Sequence, residues 1–185
     1  YRYKSKPPAM LLTHPLPESR ISDARIRAQN YSPRPLAPSL QFELAKARIT
    51  ARYEGNAKDH VINFQQMLDK KHYAIEAAAK YGLALAHYEN KDYQIAVNQL
   101  EALLNDDSRN LFYVDALTDA YIAVKAYDKA ITMLTELKLL MPNNQVVTLN
   151  LANALTEAKQ YEKAEVLLQD FLVVSPGNFI ANDLL

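Results

Sequence analysis

The chain has 185 residues, with 21 lysines and arginines against 21 aspartates and glutamates, and 49% of its residues are hydrophobic. This length and apolar content suffice for one domain or a short repeat array, whereas the balanced charge lacks the basic excess of a nucleic-acid-binding protein. The absence of cysteine excludes disulfides and thiol catalysis, and no apolar run is long enough to predict a transmembrane segment.

The first 38 residues differ in composition from the rest, because they hold seven of the nine prolines. Within them, Glu18 to Gln29 can form one short helix with Pro17 near its first turn. Residues 31–38 then predict an extended, proline-rich linker. From Ser39 onward helix-forming residues dominate and proline is absent until Pro142, so we predict a boundary near residue 38.

Residues 39–76 predict a degenerate helix pair or an N-terminal cap. Ser39 is a candidate N-cap for a helix that runs to about Tyr53. One face of that helix carries apolar residues at helical spacing: Phe42, Ala45, Ile49 and Tyr53. After a turn at residues 55–56, a second helix carries Val61, Phe64 and Leu68. His60 and His72 have no partner at metal-ligand spacing, and we expect both at the surface.

From residue 77 onward the sequence repeats. Tyr93, Tyr127 and Tyr161 recur at an interval of 34 residues, and other positions repeat with them. Small residues recur at Ala84, Thr118 and Ala152 and at Ala96, Ala130 and Ala164. Large apolar residues recur at Leu83, Leu117 and Leu151, at Leu100, Leu134 and Leu168, and at Leu103, Leu137 and Phe171. Small residues let two helices cross closely, while the large ones fill the seam around them.

This pattern resembles the tetratricopeptide repeat (TPR). The resemblance implies an all-α fold, a right-handed α-solenoid of antiparallel helix pairs. We predict helices at about 72–89, 93–104, 110–123, 127–140, 145–158 and 161–173. Residues 77–178 would then hold three full repeats, and residues 179–185 would start a truncated further repeat, so we expect the natural protein to continue.

A second resemblance covers residues 5–28, which contain Thr13-His14-Pro15 followed by Pro17-Glu18 and Arg20-Ile21. This segment resembles the end of the catalytic domain in HExxH zinc metallopeptidases related to the heat-shock and CAAX prenyl proteases. With TPRs directly downstream, the resemblance narrows to the β-barrel assembly-enhancing proteases of the periplasm. Residues 1–38 would then be a remnant of the metallopeptidase domain plus a linker.

The resemblance implies a longer parent protein that is a periplasmic zinc metalloendopeptidase. An HExxH helix supplies two zinc ligands and a general base, and this chain contains none, so we assign it no catalytic residue and no cofactor of its own. By resemblance, His14 would lie beside the zinc site of the intact protease as a displaceable fourth ligand. Alternatively, His14 is structural and orients a loop through backbone hydrogen bonds.

The concave face of a TPR array is built from the first helix of each repeat. The partner-binding candidates on that face are Tyr81, Leu85, Tyr88, Phe112, Asp115, Asp119, Ile122, Asn150, Asn153 and Glu157. The three acidic residues disfavour a bound carboxylate, whereas an apolar floor with an acidic stripe suits a polypeptide with apolar anchors and some basic residues. The alternative is that these residues are merely solvated.

We therefore expect an interaction module that docks a periplasmic protease on outer-membrane β-barrel proteins or their assembly machinery, and that contacts its own protease domain. Two alternatives stay open. One is a non-enzymatic TPR scaffold or adaptor with an accidental resemblance at its front end. The other is a module that mainly mediates oligomerisation.

Overall fold

The computed structural model describes residues 17–29, 31 and 36–185, and the regular secondary structure in these residues is entirely helical. The helices are α1 (Pro17–Gln29), α2 (Leu40–Tyr53), α3 (Ala57–Asp69), α4 (Glu76–Glu89), α5 (Tyr93–Asp106), α6 (Leu111–Ala123), α7 (Tyr127–Leu140), α8 (Gln145–Glu157), α9 (Tyr161–Val174) and α10 (Phe179–Leu184). The all-α repeat architecture predicted from the sequence is confirmed.

Two units make up the chain. Residues 38–185 form one compact unit that holds α2 to α10, and α1 belongs to the other unit. Helix α1 starts at Pro17, one residue before the predicted start at Glu18, and its Ile21 and Ile26 side chains are exposed. None of the helices in the described ranges is both long and apolar enough to cross a membrane. His14 lies outside the described residues, as do residues 32–35 of the predicted linker.

The turns between helices have a regular chemistry. Four turns place a lysine in the left-handed region, with φ between 52° and 69°: Lys71, Lys91, Lys125 and Lys159. The backbone N–H after each lysine donates to a carbonyl five residues earlier, which is the Schellman arrangement that normally uses glycine. Side chains of Ser39, Asn56, Asn110, Asn144 and Asn178 cap the helices that follow, so the predicted Ser39 cap is confirmed.

The repeating small and large residues form the core. Ala84, Ala96, Ala130 and Ala152 are completely buried, as are Leu100, Leu134 and Leu168. Thr118, which replaces alanine in the second repeat, is also buried, and its hydroxyl donates to the Val114 carbonyl oxygen at 2.8 Å. Successive helices therefore approach closely at the small positions, and the register predicted from the 34-residue interval is the register of the structure.

Helix α4 begins at Glu76 rather than at about residue 72. The left-handed Lys71 ends α3, and the His72 backbone N–H donates to the Met67 carbonyl oxygen at 2.8 Å. Residues 73–75 are then needed to reach the next helix. The predicted start was wrong because the turn uses lysine, which carries no sequence signature of a chain reversal.

Three of the four residues on the predicted apolar face of α2 are exposed to solvent, and the fourth, Ala45, is half-buried. Phe42, Ile49 and Tyr53 are 64%, 53% and 77% exposed, whereas the buried residues are Leu44, Ala47 and Ala51. Ala47 and Ala51 face the core because α2 packs closely on α4, and their small side chains permit that approach.

His60 is buried, contrary to the expectation that it lies at the surface. Its Nε2 contacts the Glu54 carbonyl oxygen, and because a carbonyl only accepts, Nε2 carries the donated hydrogen. His60 therefore holds the turn between α2 and α3. His72 is exposed, as expected.

Candidate partner-binding groove

Helices α4, α6 and α8 are the first helices of the three repeats, and they lie side by side on one face of the compact unit. We call the surface formed by these three helices the groove. Helix α2 packs on α4 at one end of the groove and reaches α6 through two arginines. The predicted groove is therefore partly filled by a helix of the chain itself.

Tyr81 and Leu85 do not lie on an open surface. Their exposed fractions are 0% and 1%, because α2 covers this part of α4. The expectation that both side chains face a partner directly is corrected to a position in the core beneath α2. Leu44 of α2, which is completely buried, belongs to the same apolar cluster.

Arg48 of α2 is held by three groove residues. Its Nη2 forms an ion pair with Asp115, and its Nε donates to the Tyr81 hydroxyl at 3.0 Å. The guanidinium carbon also lies 5.4 Å from the centre of the Phe112 ring, within the range of a cation–π interaction. One guanidinium therefore contacts a carboxylate, a phenol and an aromatic face.

Arg52, one helical turn later, repeats this arrangement. Its Nη2 donates to Asp119 at 2.7 Å, and its Nε lies 3.5 Å from a carboxylate oxygen of Glu89. The guanidinium carbon is 5.8 Å from the centre of the Tyr88 ring. Asp115 and Asp119 are also one turn apart, so the two pairs match in spacing.

Burial and charge act in opposite directions on these pKa values. Burial lowers the pKa of both arginines, but their carboxylate and tyrosine neighbours outweigh it, and the net pKa of each lies above its usual value. For Asp119, burial raises the pKa, and the hydrogen bond from Arg52 offsets only part of that rise. Both arginines therefore stay charged, and the acidic stripe predicted on the groove is largely neutralised from within the chain.

The groove beyond α2 is more accessible. Ile122 and Asn153 are half-buried, and Glu157 is exposed at the end of α8. Asn150 donates to Asp115 at 3.1 Å and to the Val146 carbonyl oxygen at 3.0 Å, so it extends the polar network from α6 to α8. Binding of a partner by these residues stays a prediction, and Ile122, Asn153 and Glu157 are the side chains best placed for it.

The described residues do not form a zinc site. Among residues 17–29, 31 and 36–185, no three side chains of the metal-ligating types lie close enough together to hold a metal ion. Tetrahedral zinc in a catalytic site needs three protein ligands, so ligands for zinc would have to come from other residues. The metal-ligand role suggested for His14 stays a prediction.

The repeats can also be compared with known families. A family model described as Tetratricopeptide repeat matches residues 121–172. The chain contains tetratricopeptide repeats. Two solved structures of MamA have a similar fold: MamA from AMB-1 aligns with a TM-score of 0.54 at 20% identity, over 75% of this TPR chain and 72% of MamA. MamA from MSR-1 gives 0.53 at 20% identity, over 74% of each chain. At this identity the likeness shows the fold alone.

Two relatives carry the name of the protease family that the sequence resembles. The TPR chain is 39% identical to the β-barrel assembly-enhancing protease of Yersinia pestis over 156 residues, which are 84% of this chain and 32% of that protein. It is 39% identical to the Escherichia coli K12 protein of the same name over 153 residues, 83% of this chain and 31% of that protein. The resemblance is confirmed, and the chain spans about a third of the length of these two relatives.

Sequence reasoning missed Arg48 and Arg52 as groove residues. Each lies 67 residues from its carboxylate partner, and no local pattern predicts a contact over that distance. The available indication was the matched spacing, because two arginines four residues apart on one helix can meet two aspartates four residues apart on another.

Proposed function

We propose that this chain is the protein-binding module of a periplasmic zinc metalloprotease and that it docks the protease on outer-membrane β-barrel proteins or their assembly machinery. The observation that carries the proposal is the 39% identity, over more than four-fifths of the chain, to two proteins named β-barrel assembly-enhancing protease. Arrays of helical repeats present extended surfaces for binding other polypeptides, which is the role we assign to the groove.

The accessible part of the groove supports a polypeptide partner. Ile122 offers an apolar contact, the Asn153 amide can donate and accept hydrogen bonds, and Glu157 supplies an exposed negative charge. A partner segment with an apolar anchor and a basic residue would complement all three. In this proposal the module binds clients, while zinc and catalysis belong to the rest of the longer protein.

A binding measurement with a matched charge reversal tests the proposal. A fluorescently labelled outer-membrane β-barrel protein, diluted from urea, is titrated with the native chain, with Glu157→Lys and with Glu136→Lys. Both glutamates are exposed, but Glu136 lies on α7, outside the groove. We expect Glu157→Lys to weaken binding at least about fivefold through repulsion of basic residues in the partner, and Glu136→Lys to leave it unchanged.

Two results would contradict this function. If the native chain does not bind the β-barrel protein in a saturable way, the docking role is wrong, and an adaptor without this client becomes the better account. If the two lysine variants bind equally, the contact is not made through the groove.

A further inference from the structure

Helix α2 is attached to the compact unit in an unusual way. It packs mainly on α4 and contacts α3 little, although α3 is its partner in the chain. A cleft of about 770 Å³ lies between α2 and α3. The cleft is lined partly by polar side chains from both helices, Glu43, Lys46, Thr50, Asn63 and Gln66. The α2–α3 seam is therefore much less closely packed than the seams within the pairs α4–α5 and α8–α9.

The connections at the two ends of α2 are also slight. Residues 36–39 before it are exposed and have no regular structure. After it, the turn at residues 54–56 includes Gly55 with φ of 55°, a conformation that glycine adopts without strain. Apart from the contact of His60 with the Glu54 carbonyl oxygen, one short glycine turn is what joins α2 to the helices that follow.

The contacts between α2 and the groove resemble those between a binding site and its ligand. Arg48 and Arg52 each occupy a position between a carboxylate and an aromatic ring. Five of the groove residues that contact them were expected to contact a partner: Tyr81, Tyr88, Phe112, Asp115 and Asp119. Between the arginines and along the same face, α2 presents only the small or apolar residues Leu44, Ala47 and Ala51. These features describe a short amphipathic helix in a complementary groove.

We propose that the groove recognises helices carrying two arginines one turn apart, and that α2 is an intramolecular occupant which such a partner helix displaces. The inference takes the partner-binding role of the groove from the proposed function and adds the chemistry of the segment it selects. Because α2 and a partner helix offer the same contacts, the exchange replaces each ion pair with an equivalent one. The partner avoids exposing Asp115 and Asp119 without a cation, which would otherwise oppose release of α2.

A peptide of residues 39–54 tests this inference without any β-barrel protein. Its labelled form is titrated by fluorescence anisotropy against the native chain and against the Arg48→Ala/Arg52→Ala variant. Loss of both arginines frees the groove carboxylates, so we expect the variant to bind the peptide at least about tenfold more tightly than the native chain does. A peptide with both arginines replaced by lysine should bind at least about tenfold more weakly, because a lysine cannot reach two groups as the Arg48 fork does.

If the Arg48→Ala/Arg52→Ala variant is too unstable for the binding measurement, amide hydrogen exchange of α2 provides a second test. In the native chain, amides of α2 should exchange faster than those of α4, α6 and α8, which would show that α2 opens locally. The double variant should accelerate exchange in α2 and leave α6 and α8 unchanged.

Equal peptide binding by the native chain and the variant would overturn the inference, as would binding that is insensitive to the arginine-to-lysine change. Exchange of α2 only through global unfolding would also overturn it, since α2 would then be a fixed part of the core. Any of these three results, obtained while the native chain still binds a β-barrel protein, would refute the occupant role of α2 and leave the proposed function intact.

Discussion

Gly82 of α4 packs against the ring of Phe64 on α3, and its replacement by alanine gives a quantitative test of the packing. A Cβ atom at this position would lie 2.5 Å from Phe64 Cζ and 2.8 Å from Cδ1, and closer still to Cε1. Phe64 is buried, with 5% exposed, so its ring cannot simply rotate into solvent. Overpacking of this kind costs about 1 to 3 kcal/mol, whereas alanine gains up to about 1 kcal/mol over glycine in a helix. We therefore expect Gly82→Ala to destabilise the chain by up to about 2 kcal/mol.

Urea unfolding followed by circular dichroism measures this change in stability. Two further comparisons test whether the clash with Phe64 is its cause. A Cβ atom added to Gly177 would have no heavy atom within 4 Å apart from its chain neighbours, so Gly177→Ala should not destabilise the chain. In a Phe64→Leu background the ring is absent, and Gly82→Ala should become neutral or stabilising by up to about 1 kcal/mol. A destabilisation that is the same in both backgrounds would refute the clash as its cause.

Three further changes have outcomes that follow from the structure. Leu117→Ala should destabilise by about 2 to 5 kcal/mol because the side chain is 1% exposed, and an equal loss in Leu139→Ala, at 79% exposed, would contradict that reasoning. Lys125→Gly should stabilise by about 0.5 to 1 kcal/mol, because glycine relieves the left-handed φ of 60°; a lower melting temperature would contradict it. The hydrogen bond from the Tyr121 hydroxyl is the main cause of the lowered pKa of Glu101. This carboxylate therefore stabilises the fold above about pH 4.3, and the stabilisation is lost as the pH falls through the lowered pKa of the folded state. The difference in unfolding free energy between the native chain and Glu101→Gln should therefore shrink on acidification, and a pH-independent difference would exclude this role.

The local features of the fold were predictable because they depend on residues close together in sequence. The 34-residue interval places Ala96, Ala130 and Ala164 on one face, and all three are buried. Helices α5 to α9 begin and end within two residues of their predicted bounds. Side-chain caps such as Ser39 also act over only three residues, so one segment suffices to identify them.

The position of α2 was not predictable, because it is set by contacts with distant residues. By hydrophobicity, Phe42, Ile49 and Tyr53 outrank Ala47 and Ala51, which favours the wrong face. The buried face of α2 is determined instead by its close approach to α4 and by ion pairs with residues 67 positions later in the sequence. Through the same long-range contacts, α2 covers part of the groove that was expected to be open.

The left-handed lysines illustrate a second limit. Sequence reasoning detects such turns by glycine or asparagine, and positions 71, 91, 125 and 159 are all lysine. At positions 91, 125 and 159 the 34-residue interval nevertheless located the turns. It gave no help at Lys71, where the start of α4 was misplaced.

The central claim is that the open groove of this chain contacts outer-membrane β-barrel proteins, and site-specific photocrosslinking tests it most directly. A photoreactive amino acid is placed at Ile122, Asn153 or Val166 of the chain, which is directed to the periplasm of a bacterium, and the crosslinked products are identified by mass spectrometry. Ile122 and Asn153 lie in the groove, whereas Val166 is exposed on the second helix of the last repeat. The account predicts crosslinks to β-barrel proteins or their assembly machinery from the two groove positions and none from Val166. Crosslinks to these proteins from Val166 alone, or from none of the three positions, would contradict it.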